Sequence, residues 1–161
     1  MPQAERDQNV DFIQGLSERA RSRGIQLSLE LHDDGLLDTP ELCLDMLKRV
    51  ASENVGLNPD LGNLIRSYPD SDWRTALNSL APRANNWHVK NYRGGQPSPI
   101  WDGQIDYAEA FQIMRAAGYT GWVSIESYFG DVLDLQAKSL AWLKRIVSDS
   151  TSTPERQGSP A

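Results

Sequence analysis

The stretch GIQLSLELHDD, residues 24–34, alternates apolar and polar side chains with the period of two that is typical of a β-strand. Its aliphatic face carries Ile25, Leu27, Leu29 and Leu31. The opposite face is polar and ends in Glu30 and His32. Because charged groups are rarely buried without a partner, this polar face is expected to line a functional site rather than to pack in a core.

Three further segments show the same two-faced pattern and are predicted strands. They are NVGLNPD (54–60), NNWHVKNY (85–92) and GWVSIESYFG (121–130). Helical patterns alternate with the strands, over residues 7–23, 38–51, 71–80, 106–118 and 131–147. Gly24 and Gly118 are expected to end two of these helices, and Asp38 or Thr39 to cap the one that begins at Pro40. Four repeats of strand then helix predict a parallel sheet joined by right-handed crossovers.

Two α/β architectures cover a parallel sheet with helices. A doubly wound sheet is covered on both faces, so its central strands are apolar on both sides. In a (β/α)8 barrel the helices lie outside, and inward side chains near the strand ends can be polar and functional. Because all four strands have one polar face, we predict an α/β fold of the TIM-barrel type. A complete barrel takes about 250 residues and eight strands, so about four βα units, half of a barrel, are expected here.

The chain is predicted to divide into two parts. The half-barrel takes up residues 1–147. The remainder, SDSTSTPERQGSPA (148–161), is polar and has no apolar residue positioned to dock it, so it is predicted to be a disordered tail.

Net charge and hydropathy restrict the kinds of binding partner and the cellular location that are expected for the protein. Sixteen Lys and Arg against 22 Asp and Glu give a net charge of −6, which argues against a nucleic-acid partner because phosphate binding depends on clustered cations. No long apolar run predicts a membrane segment, and the N-terminal MPQAERDQNV lacks the apolar core of a signal peptide. The single cysteine, Cys43, is expected to be a small buried hydrophobe. A cytoplasmic location is therefore predicted.

One group with metal-ligating capacity stands at or near the end of each predicted strand. In chain order these groups are Glu30, Asp60, His88 and Glu126. The strand ends of a barrel converge on one mouth, where three carboxylates would repel one another unless a cation held them together. This donor set suits Mn²⁺, Mg²⁺ or Co²⁺, and catalytic Zn²⁺ is also compatible. A lone acidic residue at a strand end is most often solvated or a helix cap, so only the four together predict a metal site.

Five motifs cover nearly all of residues 7–146: LSLELH, VGLNPDLGNL, WHVKNY, WDGQIDYAEAFQIMRAAGYTGWVSIES and SLAWLKRI. Together they resemble the second half of the xylose-isomerase-like TIM barrels, and most closely the sugar phosphate isomerase/epimerase group. The most specific part runs from Gly103 to Glu126. The resemblance implies the C-terminal half of the barrel. It also implies a Glu, Asp, His, Glu metal site on the last four strands, which corresponds to Glu30, Asp60, His88 and Glu126.

The resemblance further implies a divalent-metal-dependent isomerase or epimerase of a sugar, sugar phosphate or polyol. Proton transfer alpha to a carbonyl needs a base, an acid and stabilisation of the enediolate. Glu30 and Glu126, on the first and last strands, are the predicted proton-transfer residues. Substrate contacts are predicted for His32, Asn63, Lys90 and Arg93.

Other functions stay open at this point. Dehydration of an inosose-like cyclic polyol begins with the same proton abstraction. The endonuclease IV branch needs further histidines for several zinc ions and a basic surface, and two histidines with a net charge of −6 argue against it. The alternative of a different class is a non-catalytic or partner-requiring half-barrel, from a truncated or split gene. An N-terminal half-barrel or a second copy would then pair with the open edges at residues 25–32 and 121–127.

Overall fold

A computed structural model describes residues 3–33 and 35–149 of the chain. The helices are α1 Gln3–Arg21, α2 Pro40–Val50, α3 Leu61–Ser67, α4 Trp73–Leu80, α5 Tyr107–Ala116 and α6 Val132–Asp149, with a short 3-10 turn Ala81–Arg83 after α4. The strands are β1 Leu27–Glu30, β2 Val55–Asn58, β3 Trp87–Val89, β4 Asn91–Arg93, β5 Gln96–Ser98 and β6 Val123–Ile125. Helix α6 runs two residues past the predicted end of the half-barrel. The rest of the predicted tail, 150–161, lies outside the described residues, so its disorder stays a prediction.

The strands β1, β2, β3 and β6 form one parallel arrangement. β1 pairs with β2, with Glu30 opposite Asn58, and β3 pairs with β6. A parallel bridge between Leu57 and Ala84, just before β3, joins the two pairs in the order β1-β2-β3-β6. Parallel strands connected in chain order through helices are half of a (β/α)8 barrel, which confirms the predicted fold class. Among the described residues, β1 and β6 each pair along one edge only.

Several helix ends lie where the sequence predicts them. Thr39 caps α2 by accepting a hydrogen bond from the Leu42 backbone N at 3.4 Å, and Pro40 is the first helical residue. Gly24 and Gly118 follow α1 and α5 with φ of +67° and +78°. Glycine reaches this left-handed region without the steric penalty that other residues incur, so it ends a helix readily.

The core lies between the sheet and the helices. Leu57, Trp87 and Val89 are at most 1% exposed and belong to one apolar cluster with Leu47 of α2 and Leu77 of α4. Burial of this apolar surface is the main favourable contribution to folding, at about 25 cal/mol per Å². Within the described part of the chain, no helix combines the length and apolar character that a membrane span requires.

The structure corrects the prediction in two places. Residues 91 and 92, predicted to end a strand, and residues 93–98, for which no helix or strand was predicted, form the antiparallel hairpin β4–β5. Gly94 and Gly95 make the turn with φ of +56° and +76°, the positive values that a tight two-residue hairpin turn requires. The second correction is α3, which was not predicted. Asp60 caps it one residue after Pro59, so β2 leads into a helix almost without a loop.

A buried asparagine, Asn91, fixes the loop that follows β5. Its Nδ2 donates to the backbone oxygens of Ile100 and Ile105 at 3.1 and 2.8 Å, and its Oδ1 accepts from the Ile105 backbone N at 3.0 Å. A Cβ atom on Gly103 would lie 2.0 Å from Asn91 Cγ, so the loop can approach this side chain only with glycine there. These hydrogen bonds and the close approach of the loop, which together we call the Asn91 clamp, give a physical reason for Gly103 in the most specific motif.

We expect Asn91→Ala to lower the free energy of unfolding by about 3 kcal/mol, because each buried backbone group left without a partner costs about 1–3 kcal/mol. Urea unfolding followed by circular dichroism measures the change. Asn78→Ala is the matched control, since Asn78 is exposed on α4 and donates to the Arg74 backbone oxygen at 2.9 Å. The control should stay within about 0.5 kcal/mol of the parent chain. Equal effects of the two substitutions would contradict the clamp.

Candidate metal centre

The four predicted metal ligands lie together at the carboxyl ends of the parallel strands. Glu30 ends β1, Asp60 caps α3 after β2, His88 lies in β3 and Glu126 directly follows β6. One ligand atom of each residue lies within 4.8 Å of those of the others. His88 Nδ1 is 3.6 Å from Glu30 Oε1, 3.9 Å from Asp60 Oδ2 and 3.5 Å from Glu126 Oε2. We call these four side chains the carboxylate cluster.

Asp60 uses its two oxygens for different purposes. Its Oδ1 accepts a hydrogen bond from the Asn63 backbone N at 3.1 Å and so caps α3. Its Oδ2 faces the cluster, and the side chain is fully buried. Burial raises the pKa of Asp60 to about 7, although the nearby Lys90 charge opposes this rise. A carboxylate this deeply buried requires a cation if it is to stay ionised.

His88 is held by its backbone and leaves one ring nitrogen unpartnered. Its backbone N donates to Asn58 Oδ1 at 2.7 Å. Its Nδ1 is buried and makes no hydrogen bond to any described residue. A buried ring nitrogen without a partner is costly, and a divalent cation between it and the carboxylates would satisfy it. The donor set therefore fits a metal ion.

A lysine side chain lies inside the cluster. Lys90 Nζ is 2.7 Å from Glu126 Oε2 and 3.0 Å from Asp60 Oδ2, and the side chain is only 11% exposed. Burial lowers the pKa of Lys90, but its contacts with the two carboxylates outweigh this effect and leave that pKa above its usual value. Burial would likewise raise the pKa of Glu126, yet the hydrogen bond from Lys90 leaves it below the ordinary value. Lys90 and Glu126 therefore form a charged pair at neutral pH.

A protein-family profile described as xylose isomerase-like TIM barrel matches residues 2–146. The chain belongs to this family. The match covers the parallel strands, the connecting helices and the whole carboxylate cluster, so the fold and the resemblance deduced from the motifs agree.

Two of the curated proteins that this chain resembles are sugar epimerases. The chain is 26% identical over 133 residues to L-ribulose 3-epimerase of Mesorhizobium japonicum, which covers 79% of this chain and 43% of that protein. It is also 26% identical over 139 residues to L-ribulose-5-phosphate 3-epimerase of Escherichia coli, with coverages of 83% and 48%. A crystal structure of a family protein from Mycobacterium smegmatis in complex with magnesium matches with a TM-score of 0.86 and 31% identity, over 94% of this chain and 53% of that one. The chain thus spans about half the length of these relatives.

The predicted substrate-contact residues have different positions in this xylose isomerase-like half-barrel. Asn63 and Lys90 lie at the cluster, where Asn63 Nδ2 donates to Glu30 Oε1 at 3.2 Å and to the Leu31 backbone oxygen at 3.0 Å. His32 is exposed, and its Nδ1 lies 2.9 Å from the Asp33 backbone oxygen. Arg93 is exposed and forms an ion pair with Asp102. Their contacts with a substrate stay predictions.

Two residues that shape the cluster were not singled out from the sequence. Tyr107, on α5, donates its hydroxyl to the Lys90 backbone oxygen at 2.6 Å and accepts from the Lys90 backbone N at 3.0 Å. Gly62, in the first turn of α3, leaves space for the lysine, because a Cβ there would lie 2.3 Å from Lys90 Cγ. Only the folded chain brings these residues together, since Gly62 and Tyr107 are far apart in sequence.

Proposed function

We propose that this chain supplies the metal-binding and proton-transferring half of a divalent-metal-dependent isomerase or epimerase. The substrate would be a sugar, a sugar phosphate or a polyol. The observation that carries the proposal is the carboxylate cluster, in which a buried, unpartnered His88 Nδ1 faces three carboxylates at the strand ends. The epimerase names of the curated relatives support the same chemistry.

Glu30, Asp60, His88 and Glu126 would together hold the metal ion. Three carboxylates and one imidazole suit Mn²⁺, Mg²⁺ or Co²⁺, and Zn²⁺ is compatible. When bound, such an ion stabilises negative charge that develops on the substrate oxygens. The magnesium complex of the Mycobacterium smegmatis relative supports a divalent ion but does not select one for this chain.

Exposure distinguishes the two glutamates proposed for proton transfer from Asp60, which would only hold the metal. The side chains of Glu30 and Glu126 are 30% and 28% exposed, so a substrate in the barrel mouth can reach them. Asp60 is fully buried and has one oxygen committed to the helix cap, so it is suited to hold a metal and not to exchange protons. In the proposed reaction, one glutamate removes the proton alpha to the carbonyl and the other returns a proton to the substrate.

The surroundings of the two glutamates differ. Asn63 donates a hydrogen bond to Glu30 and orients its carboxylate, whereas Lys90 places a full positive charge beside Glu126. Glu30 ends β1 and Glu126 directly follows β6, the two outer strands, and β2 and β3 lie between them. A substrate seated above β2 and β3 would therefore have one glutamate on each side.

A complete barrel needs a partner for the open edges of β1 and β6. Apolar side chains flank these edges: Ile25 precedes β1 and is 51% exposed, and Trp122 and Tyr128 flank β6 at 84% and 71%. We propose that four further βα units, an N-terminal half-barrel, cover them, because the relatives are about twice as long. A second copy of this chain is the alternative, although it would bring two sets of three carboxylates to one mouth.

The experiment is a chimera in which the part of the Mycobacterium smegmatis relative that this chain does not match is fused ahead of it. The chimera is loaded with Mn²⁺ and given a panel of ketoses and their phosphates in D₂O. Proton NMR should show deuterium at the carbon alpha to the carbonyl and signals of the epimer or isomer. A dehydratase would instead give an unsaturated product. A chimera that binds Mn²⁺ but exchanges no proton on any member of the panel would contradict the proposal.

A further inference from the structure

We propose that Lys90 is a tethered cation that occupies the carboxylate cluster while no divalent metal is bound and leaves it when the metal enters. The ammonium group and the metal would compete for the same two oxygens, Asp60 Oδ2 and Glu126 Oε2. This inference rests on the proposed metal site, and it adds a residue that controls how tightly that site binds.

The distances indicate that the ammonium group of Lys90 and a metal ion would need the same carboxylate oxygens. Lys90 Nζ lies 2.7 Å from Glu126 Oε2 and 3.0 Å from Asp60 Oδ2. These are the same carboxylate oxygens that lie 3.5 and 3.9 Å from His88 Nδ1. A metal bound to His88 and these oxygens would stand beside the ammonium, and two cations in a buried site repel each other strongly.

The backbone of Lys90 is held by hydrogen bonds, but a cavity beside its side chain gives the ammonium group space to move. Tyr107 holds the backbone N and O of Lys90, so the strand does not need to move. A cavity of about 160 Å³ adjoins the lysine and is also lined by Glu126, Tyr128 and Arg66. The charge of Arg66 is paired with Asp33, which reduces its repulsion of a second cation. The flexible stem of lysine lets the ammonium turn into this cavity.

The lysine would offset the repulsion among the carboxylates while no metal is bound. Asp60 is fully buried, and Glu30 and Glu126 lie near it, so three carboxylates share a small space. Lys90 supplies a positive charge where a metal would otherwise be required, as buried acidic groups need a paired cation. The consequence is that a metal must displace an existing ion pair and therefore binds more weakly than the donor set alone would allow.

The first test is Lys90→Met, which keeps the apolar stem and removes the charge. By isothermal titration calorimetry we expect Mn²⁺ to bind about tenfold more tightly than to the parent chain, within the range of coupling between groups in contact. We also expect a lower melting temperature in EDTA and a larger rise on adding Mn²⁺. Lys138→Met is the matched control, because Lys138 is exposed and pairs with Asp134 on α6. The control should leave the Mn²⁺ affinity unchanged.

The second test needs no variant and reads the lysine itself. The chain has four lysines, Lys48, Lys90, Lys138 and Lys144, so acetylation by a water-soluble reagent followed by mass spectrometry resolves each one. Lys90 should be protected in EDTA and become reactive when Mn²⁺ is added, while the exposed Lys138 reacts equally in both conditions.

The outcomes distinguish this inference from the proposed function. If the parent chain binds Mn²⁺ while Lys90 stays protected and Lys90→Met has the same or weaker affinity, the competition is wrong and the metal site stands. If neither the parent chain nor Lys90→Met binds Mn²⁺, the metal site itself is wrong. If Lys90→Met binds Mn²⁺ and the parent chain does not, Lys90 excludes the metal completely, which would support the inference.

Discussion

Glu30→Gln in the Mn²⁺-loaded chimera should lower the rate of deuterium incorporation by about 10³-fold, in the range by which a positioned acid or base accelerates proton transfer. The amide cannot accept the substrate proton, while its size and its contact with Asn63 are nearly preserved. Because Glu30 is also a proposed ligand, the rate is measured at a Mn²⁺ concentration that saturates the variant. The loss that persists at saturation reports proton transfer rather than metal binding.

The control for this substitution is Glu53→Gln. Glu53 is exposed in the turn before β2, so its loss removes one negative charge without touching the cluster, and the rate should stay within about twofold of the parent. A Glu30→Gln chimera that retains a rate similar to that of the control, with Mn²⁺ bound, would remove Glu30 from the proton-transfer role. Glu126 would then have to act with a group of the other half-barrel.

The isolated chain should turn over sugars at least about 10³-fold more slowly than the chimera, since positioning a substrate can contribute several powers of ten to a rate. On its own the chain supplies only one wall of the barrel mouth, so a substrate would be held from one side and remain in water. The measurement is the same deuterium assay, with the chain at several concentrations and its mass followed by light scattering. A strictly monomeric chain with a rate close to that of the chimera would contradict the need for a partner.

The concentration series also identifies the alternative partner. A rate per chain that rises with concentration in proportion to the dimer fraction measured by light scattering would show that a second copy closes the barrel. A low rate at all concentrations, restored by the fused half-barrel, would support the proposed N-terminal partner. The chimera that carries Glu30→Gln serves as the control for folding, because it should assemble equally well without recovering the rate.

The sequence alone predicts the fold class and the four residues that form the carboxylate cluster. Alternation with a period of two places Glu30 and His88 on the inward face of their strands, and the order of strands and helices places the strand ends at one mouth. These two rules need only local patterns, which a single sequence contains. They predicted that four distant residues would meet, and the structure brings their ligand atoms within 4.8 Å of one another.

The burial of the Lys90 side chain could not be predicted from local sequence patterns. Its position two residues after His88 gives the correct face, but an inward lysine at a strand end can equally extend to solvent at the rim. Gly62 permits the buried position because it leaves space for the lysine stem, and this contact between distant segments leaves no local pattern in the sequence. The β4–β5 hairpin does leave a local pattern, the Gly94–Gly95 pair, although a proline such as Pro97 is uncommon within a strand.

The most direct test of the metal centre is a calorimetric Mn²⁺ titration of the chain beside its Glu126→Gln variant. We expect a single Mn²⁺ to bind the parent chain, and the variant to bind it more than tenfold more weakly, since even the hydrogen-bond partners of metal ligands contribute about 10–100-fold to affinity. Glu53→Gln should titrate like the parent. Equal affinities of the parent and Glu126→Gln would contradict a metal site at the carboxylate cluster.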